Sequence, residues 1–266
     1  MKIEKIEIYN YRNLDGVIIH LNLESNYVVG ENNIGKSNFL ELISTISSGS
    51  GFSENDFSDS TKPITVHLSF QLNEAEYGSF GGGILPDDSS VIDLTIIQDI
   101  KDVHPQIYHT NSTEPVQAKV LRKMNFLRYE TNVNPDIESW FDHTKEDRIT
   151  FGKVADRAQF ITLAAMNIFR RVLELYKSKS LPFEESLIMT KEGKKILPLI
   201  LAIDEPEVHL QPYMQRAVLN YYKRILKNDD KNFLELLKNS FGIDEIEGQL
   251  IIVTHSTDAL IDDHRN

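Results

Sequence analysis

Apolar and polar positions alternate from the first residues of the chain. Ile3, Ile6 and Ile8 stand among charges, Val17 to Leu23 forms a second β-type run, and Asn26 to Val29 a short apolar third. The first thirty residues therefore read as strands. Near Lys36 the period changes. Phe39, Leu42, Ile43 and Ile46 fall at i, i+3, i+4 and i+7, which predicts a helix with one apolar face. Ile64 to Leu72 and Val91 to Ile97 return to the strand pattern, and Gly78 to Ser90 between them reads as a loop.

The middle of the chain turns helical. Ile161, Ala164, Ala165, Ile168, Val172 and Leu175 form a long apolar stripe, followed by a loop from Lys177 to Pro182. Leu199 to Ile203 is uniformly apolar, as a strand buried on both faces of a parallel sheet must be. A helix from Gln211 carries Met214, Ala217, Val218, Tyr221 and Ile225 on one side, and polar residues Asn228 to Asn232 precede another short helix. The last strand is Gln249 to Thr254, with a turn at His255 and Ser256. Strands alternating with helices behind consecutive N-terminal strands predict an α/β core carrying an antiparallel lobe. No repeat period appears, and the 168 positions from Lys36 to Asp204 hold no sustained heptads, which excludes a long coiled-coil arm.

Composition narrows the class. The 266 residues are 41% hydrophobic and 26% charged, enough for one large domain or two modest ones with a proper core. The longest apolar run, Ile196 to Ile203, is too short to cross a bilayer and contains Pro198. The opening MKIEKIEIYNYRN alternates charge with apolar residues, unlike a signal peptide or anchor. A soluble, cytoplasmic protein with no membrane partner is expected. The absence of cysteine excludes disulfides, thiolate metal sites and a thiol nucleophile. Net charge is −12, against nucleic-acid binding over the whole surface. Residues 119–195 nevertheless hold 15 basic and 11 acidic side chains. That stretch is where contact with DNA or RNA would fall, a mixed solvated surface being the alternative.

The chemistry concentrates in three motifs. Gly30-Glu31-Asn32-Asn33-Ile34-Gly35-Lys36-Ser37 fits GxxxxGK[ST] between a short apolar strand and an amphipathic helix. Glycines let successive backbone N–H groups point at phosphate oxygens, and the helix N-terminus adds partial positive charge. Lys36 would reach the β- and γ-phosphates, and the Ser37 hydroxyl would ligate Mg²⁺; the alternative is a chance match in a Gly-Asn turn. Leu199 to Pro206 is an apolar strand ending in Asp204 and Glu205, which could hold Mg²⁺ and polarise a water, or could simply open a helix. Ile251 to Ser256 delivers His255 to what would be the same sheet edge, where it could sense a γ-phosphate or be an ordinary surface residue.

GENNIGKS, LILAIDEPEVHLQP and LIIVTHSTDAL together resemble the ABC-type ATPases of the SMC, RecF and OLD (overcoming lysogenization defect) group. The chain is most similar to the OLD family, which includes the ATPase subunits of Gabija-type anti-phage defence. IEKIEIYNYRNL resembles the group's first strands, and SENDFSDSTKPITVHLSF the OLD segment standing where transporters keep a Q-loop. The resemblance implies a P-loop ABC-type ATPase head of α/β class, with a mixed β core, an N-terminal antiparallel β lobe and a helical lobe. One such domain would cover residues 1–266, with the β lobe within about 1–130, the helical lobe about 131–190, and a Walker B and switch-histidine core about 191–266.

Carried over by position, Gly30, Asn32, Asn33, Gly35, Lys36, Ser37 and Asn38 would bind ATP. Ser37 and Asp204 would hold Mg²⁺, Glu205 would be the catalytic base and His255 the switch histidine. Asp56 is a candidate second metal contact, against a surface loop. Arg12 is a candidate nucleotide contact, against a strand-end salt bridge. The partners implied are a second copy or higher oligomer, DNA, and a helicase-like or other defence protein. The pattern departs in three places. Lys153 to Gln159 stands for the signature segment without its glycines, which disfavours a transporter; Arg157 and Gln159 are the candidate substitutes. Asn132 to Phe151 is short for the dimerisation insert. OLD proteins resemble a fusion to a Toprim nuclease after the switch histidine, whereas eleven residues follow His255 here, so the nuclease is expected outside this sequence. Two functions remain open: Mg²⁺-dependent ATP hydrolysis coupled to such a nuclease, and a nucleotide-gated clamp or sensor holding DNA or a protein.

Overall fold

The computed structural model describes residues 1–31, 34–76, 90–112, 114–130, 157–177, 182–206 and 212–255. Among these, two sheets sandwich one helix. The first sheet is antiparallel: β1 (Lys2–Tyr9), β2 (Val17–His20), β4 (Ile64–Gln71), β5 (Val91–Gln98) and β6 (Gln106–His109) run in the order β2-β1-β4-β5-β6. Strict alternation would put Ile3 and Ile6 on opposite faces, yet both are buried. The register of β1 against β4 shifts between Ile3 and Lys5, and this bulge returns both isoleucines to the core side.

The second sheet is parallel. β3 (Ser25–Val29), β10 (Glu245–Thr254), β9 (Lys195–Asp204) and β7 (Phe126–Glu130) lie in the order β3-β10-β9-β7, with the short β8 (Ile188–Met189) antiparallel on the start of β9. The uniformly apolar run expected as a central strand is β9, flanked by β10 and β7. β3, grouped by sequence with the N-terminal strands, belongs to this sheet instead. The strands β6 and β7 were not anticipated from the pattern.

Residue parity explains the layers. Ile200 and Ala202 of β9, Ile251 and Val253 of β10, and Val28 of β3 face α1 (Lys36–Ser48) and the antiparallel sheet. The alternate residues Leu199, Leu201, Ile203, Leu250 and Ile252 face α2 (Arg157–Lys177), α3 (Pro212–Leu226) and α4 (Lys231–Phe241). The helices at Lys36–Ser48, Arg157–Lys177 and Pro212–Leu226 fall where the apolar stripes predict them, and Lys231–Phe241 where a short helix is expected. Pro198 sits mid-strand without an N–H to donate, but it falls between the segments of β9 that pair with β8 and β7, and its carbonyl accepts from Asn125 Nδ2 at 2.9 Å. No helix among the described residues is long and apolar enough to cross a membrane. The loop expected at Gly78 to Ser90 lies, up to Ser89, outside the described residues, as do 178–181 of the next loop and Ser256.

One buried side chain stitches the sheets together. Gln249 of β10 is fully buried; its Oε1 accepts from the Ile3 N–H at 2.9 Å, and its Nε2 donates to the carbonyls of Ile3 (2.7 Å) and Asn22 (2.9 Å). The side-chain amide thus serves as a strand rung for β1. Replacing it with leucine leaves these backbone groups unsatisfied in the interior, and Gln249→Leu is expected to lose about 2–3 kcal/mol of stability. Urea unfolding should show a lower midpoint at unchanged slope; an unshifted midpoint would contradict the bridge.

Candidate functional site

The three parallel strands β3, β10 and β9 end level. Thr254 pairs with Val29, and Val253 pairs with both Val28 and Asp204, so Gly30, His255 and Glu205 leave the sheet side by side. The same parity that buries Ala202 and Val253 against α1 turns Asp204 and His255 toward that helix. Glu205 then departs from the strand. Its φ of 49° is left-handed, costly for a residue with a Cβ, and its N–H donates to Val253 O at 2.8 Å, which holds the turn in place.

The loop from β3 reaches α1 through Gly35, whose φ of 103° suits glycine. A Cβ there would stand 2.6 Å from Leu14 Cδ2 and 2.9 Å from Asn13 Oδ1. No side chain caps the helix start and no acidic residue lies in its first turn, so that end of α1 keeps its attraction for an anion.

Lys36 folds back over its own loop. Its ammonium donates to the carbonyls of Gly30 (2.5 Å) and Glu31 (2.6 Å) and lies 3.1 Å from His255 Nδ1. Because lysine can only donate, Nδ1 is the acceptor, and His255 Nε2–H then donates to Glu205 Oε1 at 2.7 Å. Gly30 O, 3.1 Å from Nδ1, shares the same ammonium. The three motifs are therefore joined in one chain of contacts, Lys36–His255–Glu205.

These residues border a cavity of about 530 Å³, lined by Asn13, Gly35, Lys36, Ser37, Asn38, Glu205 and His255. Ser37 is exposed to it. Asp204 lies one residue behind the lining, its Oδ2 accepting from Arg128 at 2.7 Å, while the same guanidinium donates to Glu41 Oε2 at 3.0 Å. Asn32 and Asn33 fall outside the described residues, as do Lys153 to Asp156 of the signature stretch; the side chains of Arg157 and Gln159 are likewise not described.

Arg12 and Asp56 come together behind the cavity wall. Arg12 Nε donates to Asp56 Oδ1 at 2.7 Å and its NH1 to Asn38 Oδ1 at 2.8 Å, while Asn38 Nδ2 donates to Asn13 Oδ1 at 2.7 Å. Burial is the largest single influence and works against the charge on Arg12, but the hydrogen bond to Asp56 and the charges of Tyr11, Asp56 and Glu41 together outweigh it and raise the guanidinium pKa above its ordinary value. Asp56 Oδ2 accepts from both the N–H and the hydroxyl of Ser53. Both oxygens of Asp56 are thus engaged, Oδ1 by Arg12 and Oδ2 by Ser53, so Asp56 clamps Arg12 in this arrangement. Arg12 likewise forms the strand-end salt bridge held as its alternative, and among the described residues it touches the cavity lining through Asn38.

Asn13 and Arg128 were missed by sequence reading. Asn13 directly follows Arg12 in the opening motif, a signal that was present. Arg128 sits in the short strand β7, whose sequence FLRYE has no clear period.

Comparison with known proteins adds the family. A family model described as AAA ATPase domain (AAA_15) matches residues 1–148 and 163–260. No curated protein matches the chain. Among solved structures, "Crystal structure of the SmcHead bound to the C-winged helix domain of ScpA" aligns with 98% of this chain and 92% of that one, at 12% identity and a TM-score of 0.50. "Structure of the recombination mediator protein RecF-ATP in RecFOR pathway" aligns with 90% of this chain and 55% of that one at 20% identity and a TM-score of 0.36. Its RecF-ATPrS counterpart covers 96% and 93% at 13% and 0.42. The structural likeness rests on the SMC head and speaks to fold: a mixed α/β P-loop head. The family model spans nearly the whole sequence, and the chain therefore belongs to the AAA ATPase domain family.

Proposed function

We propose that this domain binds ATP with Mg²⁺ in the cavity at the strand tips and hydrolyses it. The observation that carries the reading is the convergence of Lys36, Ser37, Glu205 and His255, drawn from three distant motifs, on one cavity of about 530 Å³. The donor set suits the metal: a serine hydroxyl and a strand-end carboxylate are hard oxygen ligands, and Mg²⁺ commonly takes one or two protein oxygens beside phosphate and water. Ser37 and Asp204 would hold the ion, which when bound neutralises charge on the β- and γ-phosphates.

The chain's own groups do the rest. Phosphate oxygens would replace the carbonyls of Gly30 and Glu31 as acceptors for Lys36, and the N–H groups at the start of α1 would take up further charge. Release of Lys36 frees His255 Nδ1, an acceptor that would meet an arriving γ-phosphate through a bridging water while Nε2–H stays on Glu205. Glu205, set on its left-handed turn, orients a water in line with the phosphate and accepts its proton. Gly30, Asn32, Asn33, Gly35 and Asn38 complete the phosphate-binding set. Arg12, fixed by Asp56, supports the wall through Asn38.

We further infer that the domain belongs to the OLD group, works as a dimer or higher oligomer, and regulates DNA binding and cleavage by a Toprim nuclease in anti-phage defence. The quoted sequence stretches support this. A second reading, a nucleotide-gated clamp holding DNA or a partner protein, is favoured by the likeness to an SMC head described as bound to a winged-helix domain. Hydrolysis stimulated by DNA that stays intact in the assembled protein would favour the clamp.

Glu205→Gln should retain ATP binding and lose hydrolysis by roughly 10²–10⁴-fold, measured as phosphate release. Turnover equal to the parent would refute the base assignment. Lys36→Ala should abolish detectable binding of Mg²⁺-ATP in calorimetry, and unaltered affinity would remove the lysine from the site. Gly35→Val forces a branched side chain into a left-handed position against Leu14 and Asn13, and nucleotide affinity should fall at least roughly tenfold with reduced thermal stability. A variant as stable and as tight-binding as the parent would show that the loop conformation is not the one described.

A further inference from the structure

Arg128 reaches Asp204, the chain neighbour of the cavity residue Glu205. It pairs in register with Ala202, and Ala202 shares its face of β9 with Asp204 two residues on, so the arginine leaves β7 toward α1. There it donates to Asp204 Oδ2 at 2.7 Å and to Glu41 Oε2 at 3.0 Å. Glu41 lies four residues beyond Ser37 on α1, one helical turn along the same side. A single guanidinium thus links the strand tip and the helix that carry the two groups assigned above to the metal. The contact with Asp204 is sheltered, the side chains being 19% and 13% exposed, whereas Glu41 is 45% exposed.

Arginine keeps its charge at any working pH. Asp204 therefore has a permanent countercharge in the nucleotide-free protein. We propose that Arg128 is a positioning residue that holds Asp204 toward α1 and makes nucleotide binding less dependent on Mg²⁺. With the guanidinium present, an incoming triphosphate meets a neutralised carboxylate even without metal. With metal, the ion must share Asp204 with a resident cation. Both effects narrow the gap between metal-free and metal-bound affinity. Glu41 tunes the balance by drawing part of the guanidinium away from Asp204. The inference rests on the ATP and Mg²⁺ reading given above.

The test is the affinity of a non-hydrolysable ATP analogue measured by calorimetry with excess Mg²⁺ and again with EDTA. The readout is the ratio of the two dissociation constants, metal-free over metal-bound, for the parent and three variants. Arg128→Met should raise the ratio roughly tenfold, and Arg128→Lys, which keeps the charge, should stay within about threefold of the parent. Glu41→Gln, at an exposed position that leaves folding intact, should move the ratio the other way, down by about two- to threefold, by releasing Arg128 to Asp204. A purely structural arginine would weaken both affinities together and leave the ratio unchanged. Unchanged ratios in Arg128→Met and Glu41→Gln, with the parent binding normally, would overturn the role of Arg128 alone. If Arg128→Met does not fold, the direction of the Glu41→Gln shift decides. A parent that binds no analogue under either condition would instead overturn the nucleotide reading, and this inference with it.

Discussion

The common register of β3, β10 and β9 is the constraint on which the site depends. Side chains alternate along a strand, so the positions that bury Ala202 and Val253 against α1 also aim Asp204 and His255 at that helix. A slip of one residue in either strand would turn its acid or imidazole into the layer of helices and bring Ile203 or Thr254 to the cavity side. Apolar packing on both faces of the sheet therefore sets the chemistry at its edge. Gln249 adds a polar lock, because its bonds to Ile3 and Asn22 accept β10 in a single register against the antiparallel sheet.

Charge at the site is balanced locally in a chain whose net charge is −12. Asp204 is met by Arg128, Asp56 by Arg12, and Glu205 by His255 with Lys36 beyond it. Three carboxylates beside a cavity meant for a polyanion would otherwise repel it. Each is instead paired with a donor that stays or can be exchanged. Lys36 is the exchangeable one, resting on two loop carbonyls that a phosphate can replace. The left-handed turn at Glu205 is a second local cost, sustained by the bond to Val253 O that continues the β9–β10 ladder.

Much of this was legible in the sequence because it lies in strong local patterns. The apolar runs of β9 and β10, the helical stripe of α1 and the three motifs at the ends of these elements could all be read one segment at a time, and the resemblance those motifs carry implied the P-loop head fold. What escaped depends on contacts distant in sequence. The spacing of Ile3, Ile6 and Ile8 concealed a bulge that only pairing with β4 reveals. The assignment of β3 to the parallel sheet depends on β10, more than two hundred residues later. The pairing of Asp56 with Arg12 joins positions 44 residues apart, and no local pattern reveals it. Arg128 was invisible for a similar reason: a five-residue strand with charges in it has no period, and its meaning comes from Ala202 and Glu41.

A crystal structure with Mg²⁺ and a non-hydrolysable ATP analogue tests the central claim most directly. The account predicts the triphosphate across the N-terminus of α1, Lys36 withdrawn from the Gly30 and Glu31 carbonyls onto phosphate oxygens, and His255 beside the terminal phosphate. A nucleotide seated elsewhere, or Lys36 still bound to its own loop with the analogue in place, would contradict it.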